Sequence, residues 1–169
     1  MKRTAKLDKV TAHRFKKLGN IGEELTEHLL KVNGFDNVQD LNLLKSNFPF
    51  ADFYAEKDGV RYIISVKIRN KYEFTRDGTK RLNSRYKLGS KCYEHAEVAE
   101  VQFNAKAAWL TISLDSKTFS AYFGLLSSLN GSRGVNMSEK AVVSYQCLAK
   151  DAPHQFNYAE LKNVYEVAE

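Results

Sequence analysis

With 169 residues, 43% of them hydrophobic and only two prolines, the chain is long enough for one substantial core but short for two ordinary domains. Its composition excludes wholesale disorder, and no stretch approaches the roughly 18 apolar residues of a membrane-spanning helix. The net charge of +6 is uneven: residues 67–91 carry +7 and residues 1–17 carry +6, which leaves −7 on the remainder. Basic segments on an acidic body suit phosphate neutralisation, although solvated basic runs are common on proteins that bind no nucleic acid.

The first residues, Met1-Lys2-Arg3-Thr4-Ala5-Lys6, are basic and no apolar stretch with a small-residue cleavage site follows. A secretory signal is therefore not expected, and the cytoplasm is the expected compartment. Residues 1–17 read as a basic arm, and 18–169 as a single domain. Leu18, Ile21, Leu25, Leu29 and Val32 recur at helical spacing, which predicts an amphipathic helix ended by Asn33-Gly34. His28 falls within that stripe and reads as a core histidine. Val38 to Leu44 reads as a short strand. Ala51 to Glu56 and Val60 to Arg69 are β-rich runs joined by Asp58-Gly59, a strong hairpin signal.

Residues 70–91 show no clean period and hold most of the positive charge, so they read as a long basic excursion. A helix is expected from Cys92 to about Ala107, buried on two sides through Ala96, Ala99 and Phe103 on one face and Val98, Val101 and Ala105 on the other. Trp109 to Leu114 and Thr118 to Phe123 suggest a second hairpin around Asp115-Ser116-Lys117. Ala141 to Leu148 suggests another strand, and Tyr158 to Val167 a terminal helix. Cys92 and Cys147 form no metal or CxxC spacing and read as reduced packing residues.

Chemistry concentrates on the first hairpin. Successive strand residues point to opposite faces, so Ser65 and Lys67 share one face and Ile64, Val66 and Ile68 the other. Asp52, on the preceding strand, is placed to sit beside Lys67. A carboxylate that holds a hard divalent cation, and a lysine that orients water and stabilises developing charge, are the minimum for phosphodiester hydrolysis. Glu24, at the border of the first helix's apolar stripe, can complete such a site. Each residue also has a plain structural role open to it: Asp52 at a strand edge, Lys67 snorkelling, Glu24 at the positive end of a helix. In the excursion, Tyr72, Phe74 and Tyr86 alternate with Arg69, Lys71, Arg76, Lys80, Arg81, Arg85 and Lys87, a mixture suited to stacking on bases and contacting phosphates. The same aromatics can instead tether the excursion to the body.

The order Gly19-Asn20-Ile21-Gly22-Glu23-Glu24 opening a helix, then Pro49-Phe50-Ala51-Asp52, then Ser65-Val66-Lys67 on the strand after a hairpin, resembles the PD-(D/E)xK nuclease superfamily over roughly residues 18–110. The resemblance implies a restriction-endonuclease-like α/β core, a mixed β-sheet flanked by helices. It implies DNA cleavage with Mg²⁺, or Mn²⁺ in its place, of restriction, homing or recombination type. Asp52 and Glu24 would be metal ligands, and Asp52, Lys67, Glu24 and Ser65 the catalytic set. Ser65 departs from the family's acidic residue, and a hydroxyl poorly replaces an anionic oxygen at a divalent metal. Some members with Ser-x-Lys recover the carboxylate from the following helix, where Glu97 or Glu100 lies; Glu97 is the favoured third ligand. Cleaving both strands implies a homodimer. The rival reading is a degenerate nuclease fold that binds DNA without cutting it. Lacking GxSxG, HExxH and P-loop motifs, the chain offers little support for a small-molecule hydrolase.

Overall fold

A computed structural model describes residues 4–44 and 48–161. The long helix α1 (Thr4–Val32) leads into β1 (Asp36–Asp40) and the single turn α2 (Leu41–Leu44). Next come β2 (Phe53–Lys57) and β3 (Val60–Asn70), paired antiparallel from Phe53↔Ile64 to Lys57↔Val60. Asp58 and Gly59 both have positive φ, 52° and 76°, as the expected Asp-Gly hairpin turn requires. The chain then forms the hairpin β4 (Tyr72–Phe74) and β5 (Lys80–Leu82), followed by β6 (Arg85–Lys87), which pairs with β9 (Gly134–Asn136). After α3 (Cys92–Phe103), β7 (Lys106–Leu114) returns parallel to β3, and β8 (Thr118–Leu125) and β10 (Gln146–Pro153) add antiparallel strands. Six of these strands make the central sheet, in the order β1-β2-β3-β7-β8-β10. The result is the mixed sheet flanked by helices that the sequence led us to expect.

Two cores form because β3 alternates. Ile64 and Ile68 pack toward α1 with Leu18, Leu29 and Leu30, while Ile63 faces α3 with Trp109, Ala96 and Ala99. Helix α1 comes unusually close to the sheet: a Cβ on Gly22 would lie 2.9 Å from Ile68 Cγ2. It ends in a Schellman arrangement at Gly34 (φ 85°), with Phe35 N–H donating to Leu30 O and Gly34 N–H to Lys31 O.

Several boundaries differ from expectation, each for a local reason. Residues 4–17, expected as an arm, are the first half of α1; Leu7, Val10 and Arg14 continue the helical spacing upstream of Leu18, and no proline interrupts it. The strand expected from Val38 to Leu44 stops at Asp40, whose Oδ1 accepts the Asn42 N–H at 3.0 Å and turns the chain into α2. The excursion at 70–91 is ordered into β4, β5 and β6. Three-residue strands are too short to show a period.

Helix α3 ends at Phe103 because Asn104 adopts a left-handed conformation, φ 47°. It is buried on one side only: Val98 and Val101 are 59% and 81% exposed. The strand expected from Ala141 begins at Gln146, because Ser138 caps the short helix α4 (Glu139–Val142) by accepting the Ala141 N–H. His28 is exposed rather than a core histidine. Of the expected terminal helix, Tyr158–Glu160 form a 3₁₀ turn, and 162–169 lie outside the described residues. Among the described residues no helix is long and apolar enough to cross a membrane.

Candidate active site

Asp52 lies just before β2 and is anchored through both main-chain groups. Its N–H donates to Ile64 O, and its carbonyl accepts the Leu41 N–H, each at 2.9 Å. The side chain then bends onto β3, where Oδ2 accepts the Val66 N–H at 2.8 Å. The carboxylate thus takes the place of a neighbouring strand's carbonyl and closes the ladder beyond Phe53. Burial holds its carboxyl above the usual range, a push that the Val66 N–H, the Lys67 charge and the Asn42 amide oppose and Asp40 reinforces.

Asn42 is the link that the sequence did not disclose. Its Nδ2 donates to Glu23 Oε1 at 2.9 Å and lies 3.4 Å from Asp52 Oδ1. Glu23 on α1 is thereby joined to Asp52 through one amide. Its carboxyl is also raised, first by burial, then by repulsion from Asp40, with Asp52 adding to it and the Asn42 hydrogen bond opposing it. These are two carboxyls driven up by desolvation and by acidic neighbours, a repulsion that a bound cation would relieve.

Lys67 is half-buried and close enough for its charge to act on Asp52. Ser65, two residues back on the same face, is buried at 3% exposure opposite Trp109. Of the two adjacent acids on α1, it is not the expected Glu24 that meets Asn42. Glu24 is exposed, and Glu23 faces the site instead, because successive helix positions are about 100° apart and Gly22, which touches Ile68, sets the facing side. The pair of adjacent acids is the signal in the sequence; only the packing chooses between its members.

Neither candidate on α3 reaches Asp52's circle of interacting groups. Glu97 is exposed. Glu100 lines a separate cavity with Lys106 and Tyr93, and Lys106 registers with Tyr62, five residues from Lys67 along β3 and so roughly 16 Å away. Among the described residues no group of three or more His, Cys, Asp or Glu is gathered as a metal site. Asp52 and Glu23 nevertheless match what Mg²⁺ asks of a protein, one or two carboxylates with the remaining positions left to water and phosphate oxygens.

The basic residues divide into two groups. Arg76, Lys80, Arg81, Arg85 and Lys87 are exposed, and Lys71 is half-exposed. The turn from β4 into β5, the strand that carries Lys80 and Arg81, is held by Asp77, whose carboxyl is brought down to about 2 by hydrogen bonds from Thr75 and Thr79. Arg69 is drawn inward, its guanidinium 5.5 Å from the Phe15 ring centre and its Nη1 donating to Ile68 O. Tyr86, a candidate stacking residue, is instead 1% exposed in the α3-side core. Tyr72 is half-exposed beneath the Lys80 ammonium, 4.2 Å from its ring centre.

This is a mixed α/β fold of the resolvase and restriction-endonuclease-like type, with the acidic pair at the edge where β2 meets β3. Among solved structures, the chain is similar to Hjc, a Holliday junction resolvase from the archaeal hyperthermophile Archaeoglobus fulgidus. The TM-score is 0.50 and the identity 19%, over 73% of this chain and 89% of that one. No protein-family model matches the chain, and no curated protein does.

Proposed function

We propose that this chain is a metal-dependent DNA endonuclease, working in the cytoplasm as a homodimer. The observation that carries the reading is the pairing of Asp52 with Glu23 through Asn42, within reach of the Lys67 charge. Asp52 and Glu23 would hold Mg²⁺ or Mn²⁺, which when bound supplies Lewis-acid polarisation of a phosphoryl oxygen and a water of lowered pKa. Asn42 keeps the two carboxylates apart yet convergent, and the Val66 N–H fixes the orientation of Asp52. Lys67 places a positive charge where the phosphate's charge develops. Arg76, Lys80, Arg81, Arg85 and Lys87, which are exposed, would contact the DNA backbone.

The similarity to a Holliday junction resolvase favours the recombination branch over restriction or homing. One observation supports a second reading, a DNA-binding protein that has lost cleavage: Ser65 stands in the acidic position, and among the described residues no three carboxylates are gathered to hold a cation, Asp40 acting on Asp52 and Glu23 through its charge alone. Nicking of supercoiled plasmid by the purified protein, with Mg²⁺ or Mn²⁺ and with chelator, separates the two. Cleavage that needs the cation and is lost in Asp52→Ala and Lys67→Ala supports the enzyme. DNA binding with no nicking under either cation establishes the binding protein.

A further inference from the structure

On the face of the sheet that carries Ser65 and Lys67, the register continues from Lys67 to Thr111 on β7, Tyr122 on β8 and Cys147 on β10. Beyond Tyr86, whose hydroxyl lies 3.5 Å from Arg69 O, this face sinks into an open cavity of about 560 Å³. That volume falls within the range of small-molecule sites, about 300–1,000 Å³. Two to three strand spacings of roughly 4.8 Å separate it from Lys67.

The walls have a particular chemistry. Tyr122 and Tyr145 both line the cavity, their ring centres 6.3 Å apart and their planes at 66°. A bulge in β10 turns its charged residues toward the same place: Ala149 pairs with Ala121 and Ala152 with Phe119, so Lys150 and Asp151 together oppose Ser120. Asp151 takes a left-handed conformation, φ 47°, with its N–H donating to Ser120 Oγ at 3.0 Å. Such a conformation is rare outside glycine and costs stability. The charges balance, Lys71 and Lys150 against Glu139 and Asp151. Balanced charge disfavours a phosphate here and suits a neutral, planar group with both donors and acceptors.

We propose that this cavity receives one unpaired nucleobase of the DNA, next to the phosphate held at Asp52 and Lys67. The proposal rests on the nuclease-site reading for the position of the strand. A base within an intact stack cannot enter a recess in the sheet face, whereas an unpaired base swings out at low cost and stacks on an aromatic ring. Lys150 and Asp151 contact its polar edge.

Cys147 lines the cavity and is exposed, whereas Cys92 is buried, so maleimide labelling of Cys147 reports occupancy. The experiment uses full-length Asp52→Ala protein in chelator, where no cleavage is needed, saturated with either a fully paired duplex or the same duplex carrying one extra unpaired nucleotide. The extra nucleotide should slow labelling about tenfold relative to the paired duplex, in keeping with stacking energies measured per base. Lys150→Ala with Asp151→Asn, both at exposed positions, should abolish that difference and leave binding of the paired duplex unchanged. Equal labelling rates with the two duplexes, or undiminished protection in the double variant, overturn the proposal. Protection without nicking by the wild type removes the nuclease reading and leaves the base site standing. Nicking with equal labelling does the reverse.

Discussion

Asp52 Oδ2 accepts the Val66 backbone N–H at 2.8 Å, so one carboxylate both closes the β2–β3 ladder and sits at the proposed catalytic centre. The two duties separate by substitution. Asp52→Asn retains an oxygen acceptor and loses the charge; Asp52→Ala leaves a strand N–H without its partner, which costs about 1–3 kcal/mol. Both should abolish cleavage, but only Asp52→Ala should lower the melting temperature at pH 7, by roughly 2–4 °C per kcal/mol for a chain of this size. Thermal denaturation of the pair checks this.

The raised carboxyl of Asp52 also sets the sign of a pH effect. An acid whose folded pKa exceeds its unfolded value contributes stability that is complete below the unfolded value, about 3.9, and is lost as pH rises through the folded one. Asp52→Asn, which resembles the protonated acid, should therefore be more stable than the wild type at pH 7, with the difference shrinking toward pH 4. The same sign holds for Glu23→Gln, whose parent carboxyl is also raised. Melting curves across this range test it; a gap that widens on acidification would contradict the assignment.

Two glycines on α1 should respond oppositely to alanine. A Cβ on Gly19 meets nothing within 4 Å, so Gly19→Ala should stabilise the helix by about 0.5–1 kcal/mol. Gly22→Ala drives a methyl to 2.9 Å from Ile68 Cγ2 and should cost about 1–3 kcal/mol. Because Gly22 precedes Glu23, Gly22→Ala should also weaken any cleavage more than its stability loss explains. Urea titration with nicking rates at a fixed folded fraction distinguishes the two effects.

Glu23 and Glu24 offer the sharpest comparison. Glu23→Gln should reduce nicking by about 10²-fold or more, in the range seen when charge-stabilising groups are removed. Glu24→Gln, at an exposed position, should stay within about twofold. Equal losses would mean that α1 presents a different side to the site.

Neutralising Lys80, Arg81 and Arg85 together should lower DNA affinity and reduce the slope of log K against log[salt] by up to about 2.7, or 0.9 for each phosphate no longer neutralised. All three are exposed, so folding should be unaffected. Binding isotherms at several salt concentrations measure it, and an unchanged slope moves the DNA-binding face elsewhere.

Much of the architecture was legible because it is local. The stripe from Leu18 to Val32, the Asp58-Gly59 turn and the alternation of Ile63 to Ile68 carry their periods in the chain itself, and with them the hairpin that brings Asp52 to β3. Other features follow from neighbours distant in sequence. Asn42 gives no motif, yet it joins Glu23 to Asp52. The choice of Glu23 over Glu24 depends on Gly22 meeting Ile68, 46 positions away. Tyr86 has the sequence surroundings of a residue that stacks on bases, but the pairing of β6 with β9 buries it. What the sequence by itself determined is the longer periodic elements, the helix over Leu18–Val32 and the hairpin whose second strand carries Ser65 and Lys67, since their periodicity is written into neighbouring residues. Only the tertiary structure decided which carboxylates converge, because helix rotation and strand-edge closure are settled by packing between segments.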